Sequence, residues 1–175
     1  GYMPEAMMNF LAILGWNPKT AQEMFSRQEL IQAFDLGQIN KAGAIFNLQK
    51  LKWFNGQYIR SLPISDIATR ALPLFIESNL LTKAGTGYLS ADGRSISVWQ
   101  YEEIVHEIRD RAVTLSDLPK LGSYLLSNLA YDNELLIWKK SSLQSALTQL
   151  SGLKDLLQEI DNTEFTADNL ESEIK

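Results

Sequence analysis

The sequence predicts an all-α protein. Three observations lead there: apolar residues recur at helical spacing through most of the chain, helix-start signals stand ahead of those stripes, and no stretch sustains a period-2 alternation. Pro4 occupies a first-turn position, Met7, Phe10, Leu11 and Leu14 form one stripe, and Gly15 follows as a stop. Ser26 and Glu29 make a capping-box pair ahead of Leu30, Ile31 and Phe34. Asn47 caps a short helix that runs to Phe54 and ends in an Asn55-Gly56 turn. Ser65 opens the next helix, which Pro73 should interrupt or kink. Residues 82–94 hold three glycines without an apolar period and read as a loop. A long helix follows from about Ser95 to Arg111, then shorter ones over Leu115–Leu126, Ser141–Leu150 and Leu153–Ile160, with a last start at Thr166 that runs out at Lys175. No repeat recurs at a fixed spacing.

A chain of 175 residues, 45% hydrophobic and 21% charged, reads as a soluble globular protein of one domain or two small ones. No apolar run approaches the roughly 18 residues that would span a bilayer. The apolar stretch Met7–Leu14 lacks the basic flank of a signal peptide. The absence of cysteine excludes disulfides and thiolate metal sites and fits a reducing cytoplasm.

The net charge of −5 is unevenly placed. Residues 154–175 carry seven acids against two lysines, so the first 153 residues balance. Within them, residues 36–65 hold Lys41, Lys50, Lys52 and Arg60 and no acid at all. A neutral body with a basic window and an acidic tail can bind a polyanion on one face.

Chemistry of the catalytic kind is hard to find. His106 is the only histidine, and with Glu102, Glu103 and Asp110 it projects opposite the apolar stripe of Tyr101, Ile104, Ile108 and Leu115, which makes a solvated face rather than a metal cluster. "GTGYLS" at 85–90 lacks the preceding strand and third glycine of a phosphate-cradling loop. No nucleophile elbow accompanies His106. Trp16, Trp53, Trp99 and Trp138 read as core or interface anchors. The expectation is therefore no catalytic residue and no metal site.

Two stretches, "GYMPEAMMNFLAILGW" (1–16) and "FSRQELIQAFDLGQINKAGAIFNLQKLKWFNGQYIR" (25–60), closely resemble the segment that follows the catalytic core of bacterial glutamyl-tRNA synthetases, class I aminoacyl-tRNA synthetases. The family patterns G-[YF]-x-P-E-A and N-[YF]-L-x-L-L-G-W correspond here to Gly1, Tyr2, Pro4, Glu5, Ala6, Asn9, Phe10, Leu11, Leu14, Gly15 and Trp16. The later pattern ending W-x-N-G-x-Y-I-R corresponds to Trp53, Asn55, Gly56, Tyr58, Ile59 and Arg60. Residues 61–175 resemble the family more loosely, in helix order and in "RDRAVTL" (109–115). The family's H-I-G-H and K-M-S-K-S motifs are missing.

The resemblance implies an excised carboxy-terminal piece in three parts: 1–62, stem-contact helices following the catalytic core; 63–160, a helical bundle or cage that binds the anticodon; and 161–175, the start of a truncated second anticodon-binding unit. Full-length protein of this kind attaches glutamate to tRNA(Glu) with ATP and Mg2+. The piece alone would be inactive and without a cofactor, a cytoplasmic monomer that meets glutamate and ATP only through the absent catalytic domain and meets no membrane. By the same resemblance Lys41, Lys50, Lys52 and Arg60 neutralise tRNA phosphates, which position rather than specify. Trp53, Phe54 and Tyr58 brace that element, and Asn55-Gly56 makes the reversal that returns Tyr58 and Arg60. Arg109 and Arg111 match an R-x-R ahead of Thr114-Leu115, in which the second arginine contacts the third anticodon base and helps reject the glutamine tRNA. On a continuing helix Arg111 projects to the edge of the apolar stripe and Arg109 to the polar side. The alternatives are the same region of a non-discriminating glutamyl- or a glutaminyl-tRNA synthetase, and a non-enzymatic helical interaction module.

Overall fold

The computed structural model describes residues 1–40, 43–139, 141–161 and 163–174. It divides by compactness into two units, Gly1–Asn128 and Leu129–Lys175. The first unit carries a continuous apolar core that runs through Met3, Phe10, Phe54, Phe75, Tyr101 and Ile108, on both sides of the Ser61–Pro63 joint. The division by function expected at 62/63 and the division by compactness after Asn128 therefore fall in different places.

Helix α1 (Pro4–Gly15) starts on its proline and ends where Trp16 turns extended. Its buried residues are Ala6, Asn9 and Phe10, whereas Leu11 is half exposed. The helix is apolar over much of its circumference, so spacing alone places the core face one position off. Helix α2 (Arg27–Ala33) has the expected capping box, with the Ser26 N–H donating to Glu29 Oε2 at 2.6 Å and the Glu29 N–H to Ser26 Oγ at 3.2 Å. Of its expected stripe only Leu30 is buried, in a small cluster with Trp16 and Phe25.

Helix α3 (Leu48–Ser61) begins on Asn47 as expected and does not stop at Asn55-Gly56. Leu51, Phe54, Tyr58 and Ile59 continue one buried face straight through that dipeptide. A glycine inside a helix costs about 1 kcal/mol, and burying a single large apolar side chain returns about 1.5–3 kcal/mol. Packing wins, and the reversal expected there is absent.

Helix α4 (Ile64–Glu77) is likewise uninterrupted, with Pro73 inside it. Thr69, whose carbonyl loses its partner to the proline ring, is exposed to solvent like Pro73 itself. The helix closes on a Schellman arrangement: Asn79 takes φ +58°, its N–H donates to Ile76 O, and the Leu80 N–H reaches Phe75 O.

The segment read as a loop is a small antiparallel sheet. Strands β1 (Leu81–Ala84), β2 (Gly87–Ser90) and β3 (Ser95–Ile96) lie in that order, with Leu81 opposite Ser90, Ala84 opposite Gly87 and Tyr88 opposite Ile96. Gly85 at φ +57° makes the tight reversal. Strands of two to four residues are too short to display an alternation, which is why the sequence concealed them. The fold is otherwise helical, as expected.

Helix α5 (Val98–Arg109) opens on a Ser97–Gln100 capping box, and α6 (Asp117–Leu126) packs against it. Tyr101 is buried against Phe75 and donates its hydroxyl to Ala68 O at 2.9 Å, fixing α5 on α4. In the second unit α7 (Leu143–Glu159) passes through Gly152 as one helix rather than two, and α8 (Ala167–Ile174) follows.

Candidate nucleic-acid interface

Two surfaces of the first unit carry the residues singled out by sequence, the outer face of α3 and the turn between α5 and α6. At about 100° per residue, Gln49, Lys50, Trp53, Gln57 and Arg60 share the outer side of α3. Lys52 stands about 160° from Lys50, on the flank beside Ile59. The basic residues of this helix therefore do not form one row.

Their surroundings differ as well. Lys50 Nζ pairs with Glu23 at 2.5 Å, across half-exposed surface. Lys52 is partly exposed, and its side chain makes no ion pair or hydrogen bond among the described residues. Arg60 folds back along its own helix, where Gly56 leaves room for the guanidinium, and its Nη1 donates to Asp110 O at 3.4 Å. With its amide oxygen turned toward the donors, Gln57 accepts from Arg60 Nη2 at 3.2 Å and from Trp53 Nε1 at 3.3 Å. Arg60 thus joins α3 to the α5–α6 turn. Lys41 lies outside the described residues.

The aromatics of this helix divide between inside and outside. Phe54 and Tyr58 are buried, so they brace the helix. Trp53 lies 45% exposed and stacks edge-on against Phe54. Of the four tryptophans only Trp16 is buried. Trp99 and Trp138 are 67% and 73% exposed, so neither is a core anchor.

The turn is held from several sides. Helix α5 ends at Arg109, so Arg111 is not on a continuing helix and the stripe-edge position expected for it does not arise. Arg111 is exposed, and its Nη2 lies 3.5 Å from the Tyr124 hydroxyl on α6. Arg109 Nη1 donates to Leu62 O at 3.3 Å. Asp117 Oδ2 accepts from the N–H groups of Val113 and Thr114 at 3.1 and 2.7 Å, and the Leu115 N–H donates to Gly1 O at 2.9 Å. Asn55 reaches the same turn from α3, its Nδ2 donating to Val113 O at 2.5 Å. Sequence reasoning read Asn55 as a turn residue and so missed it, and no signal marked Tyr124.

His106 is half exposed, with Nδ1 3.6 Å from its neighbour Glu107. Among the described residues, no group of three or more His, Asp or Glu side chains is arranged to hold a metal ion, and no helix is long and apolar enough to cross a membrane.

This arrangement offers cations, amide groups and the exposed indole of Trp53 to a polyanion. Residues 1–53 match the family model described as tRNA synthetases class I (E and Q), catalytic domain, and residues 66–175 match that described as anticodon binding domain. The glutamate–tRNA ligase of Dehalococcoides mccartyi strain CBDB1 is 38% identical over the whole chain, which covers 34% of that protein. That of Carboxydothermus hydrogenoformans is 36% identical over 94% of the chain and 32% of its own length. The chain thus spans about a third of the curated relatives it matches. Among solved structures, a glutamate tRNA ligase from Elizabethkingia meningosepticum in complex with its amino acid superposes with a TM-score of 0.76 at 26% identity, over 99% of this chain and 31% of that one. A glutamate–tRNA synthetase from Elizabethkingia anophelis gives 0.71 at 27%, over 99% and 30%.

Proposed function

The chain belongs to the anticodon-binding-domain family, and from that premise we propose that it is the tRNA-binding part of a glutamyl-tRNA synthetase, with tRNA(Glu) as its partner. One observation carries the reading. The match to a class I catalytic domain over residues 1–53 gives way to the anticodon-domain match at residue 66, along a chain that aligns throughout with glutamate–tRNA ligases. The whole protein attaches glutamate to tRNA using ATP and Mg2+, as a cytoplasmic monomer. Glutamate and ATP enter through a catalytic domain of the kind the relatives carry, and the residues here bind and orient RNA. Residues 1–62 serve the stem, 63–160 the anticodon, and 161–175 belong to a further anticodon-binding unit.

In this reading Lys41, Lys50 and Lys52 each meet phosphates. Lys50 must exchange Glu23 for RNA, which exposed pairs do at little cost because they are worth only about 0–1 kcal/mol. Arg60 contributes through the turn it holds.

A titration of the chain with anticodon stem-loops and whole tRNA at two salt concentrations tests the proposal. Binding should weaken with salt, and Lys52→Ala should make the log–log slope shallower by about one. Glu23→Gln should tighten binding by releasing Lys50. Salt-independent association, or none with any tRNA, would refute the reading. Because the matching catalytic family covers both E and Q enzymes, the glutamine tRNA belongs in the same titration.

A further inference from the structure

Asn55 has no exposed surface, yet its short side chain joins two segments far from it in sequence. Its Oδ1 accepts from the Met3 N–H at 2.6 Å, and its Nδ2 donates to Val113 O at 2.5 Å. The Leu115 N–H to Gly1 O bond runs between the same two segments. The amide therefore sits between the chain start and the turn that carries Arg109 and Arg111, and it satisfies one backbone group on each.

An apolar residue of the same shape as Asn55 leaves a buried donor on Met3 and an acceptor on Val113 unpaired. An ionised aspartate keeps the Met3 bond but sets a carboxylate oxygen against the Val113 carbonyl. Besides the Leu115–Gly1 backbone bond, the other side-chain tethers of the turn come from more exposed groups: Arg60 on Asp110 O, Arg109 on Leu62 O and Asp117 on two N–H groups. Among the described residues the Arg111 side chain has only the long contact to Tyr124, so the backbone of this turn sets the point from which it reaches out.

We propose that Asn55 is a positioning residue for RNA recognition, clamping the 109–115 turn to the first residues of the chain so that Arg111 is presented from a fixed backbone. This rests on the reading above that residues 63–160, the turn among them, bind the anticodon. A rigid turn has less freedom to lose on binding than a loose one, so the affinity contributed by Arg111 depends on Asn55 although the two side chains do not touch.

The test is a double-variant cycle with an anticodon stem-loop as the probe, using Asn55→Asp, Arg111→Gln and their combination, each checked by circular dichroism to be folded at the titration temperature. Asn55→Asp should weaken binding of the glutamate anticodon stem-loop by about tenfold, as Arg111→Gln does. The combination should be no weaker than Asn55→Asp alone. A residue that only stabilises the fold would leave the affinity of folded protein unchanged, and that result overturns the proposal, as do additive losses. If the aspartate variant does not fold, Asn55→Ser, too short to span both partners, replaces it with the same expectation. Normal binding by Arg111→Gln alongside a flattened slope in Lys52→Ala overturns the positioning role and leaves RNA binding standing. No binding by the unaltered chain removes the reading beneath both.

Discussion

Glu5 and Arg70 meet fork to fork where the first turn of α1 lies against α4, with Nη1 2.9 Å from Oε2 and Nη2 2.8 Å from Oε1. Both side chains are about a third exposed. The Arg70 hydrogen bonds hold the Glu5 carboxyl below its usual 4.5, against a smaller opposing effect of burial. Bidentate geometry is what distinguishes this pair from an ordinary surface contact.

A depressed carboxyl contributes stability above its unfolded value and loses it as the pH falls through the folded one. The Glu5–Arg70 contribution should therefore be complete above 4.5 and fade on acidification below it. Glu5→Gln is expected to cost about 1 kcal/mol at neutral pH, discounted for exposure. Urea melts at pH 7 and about pH 3 check this: the gap between the variant and the unaltered chain should shrink in acid. A gap that stays constant would show that the carboxylate charge is irrelevant.

Tyr58 ties α3 to the segment before α2. Its hydroxyl oxygen lies 2.6 Å from Phe25 O and 2.8 Å from Asn9 Oδ1, so its single proton is shared between them. Tyr58→Phe should destabilise by about 1–2 kcal/mol, because the Phe25 carbonyl stays buried without its donor. Burial pushes the phenol up to about 12, with smaller contributions from Glu5 and Glu29. That stability is present below the usual value of 10 and is lost as the pH rises through 12. Ultraviolet titration should find the phenolate shoulder of Tyr58 late, and the Phe variant should lack it.

Two glycines should respond oppositely to alanine. At Gly87 a methyl carbon would stand 2.5 Å from Ile96 O, a backbone atom of the neighbouring strand that cannot yield. Gly87→Ala should cost about 1–3 kcal/mol by overpacking. At Gly56 the nearest atoms are the Arg60 guanidinium nitrogens at 3.1 and 3.2 Å, the far end of a flexible side chain. Gly56→Ala should gain up to about 1 kcal/mol of helix propensity while displacing Arg60. Thermal melts of the two variants should move in opposite directions.

Arg111 and Arg109 should separate specificity from affinity. Arg111→Gln is expected to narrow the discrimination between glutamate and glutamine anticodon loops by about 1–3 kcal/mol, the scale of a lost bidentate base contact in DNA readout. Arg109 is bonded to Leu62 O, so Arg109→Gln should lower affinity for both loops together. Paired titrations check this. Equal weakening of both loops by Arg111→Gln would make that arginine a backbone contact.

Local signals decided the helix starts of this chain. Pro4, the Ser26–Glu29 box and the Asn47 cap act through neighbours three or four residues away, so the sequence alone determined them. The helical class and the resemblance to glutamyl-tRNA synthetases were legible for the same reason, since periodicity and motif are written along the chain. Helix ends and residue roles depended on partners far away. Asn55-Gly56 carries a turn signature and became helix because Leu51, Phe54, Tyr58 and Ile59 share one buried face and Met3 and Val113 take up the amide. The sheet escaped because pairing across Gly85, rather than alternation within four residues, makes it a sheet. The basic window read as four cations set to meet phosphate; among the described residues three of them became a paired lysine, a lysine without an ion pair and an arginine folded onto a turn, because only tertiary neighbours decide whether a charge is free.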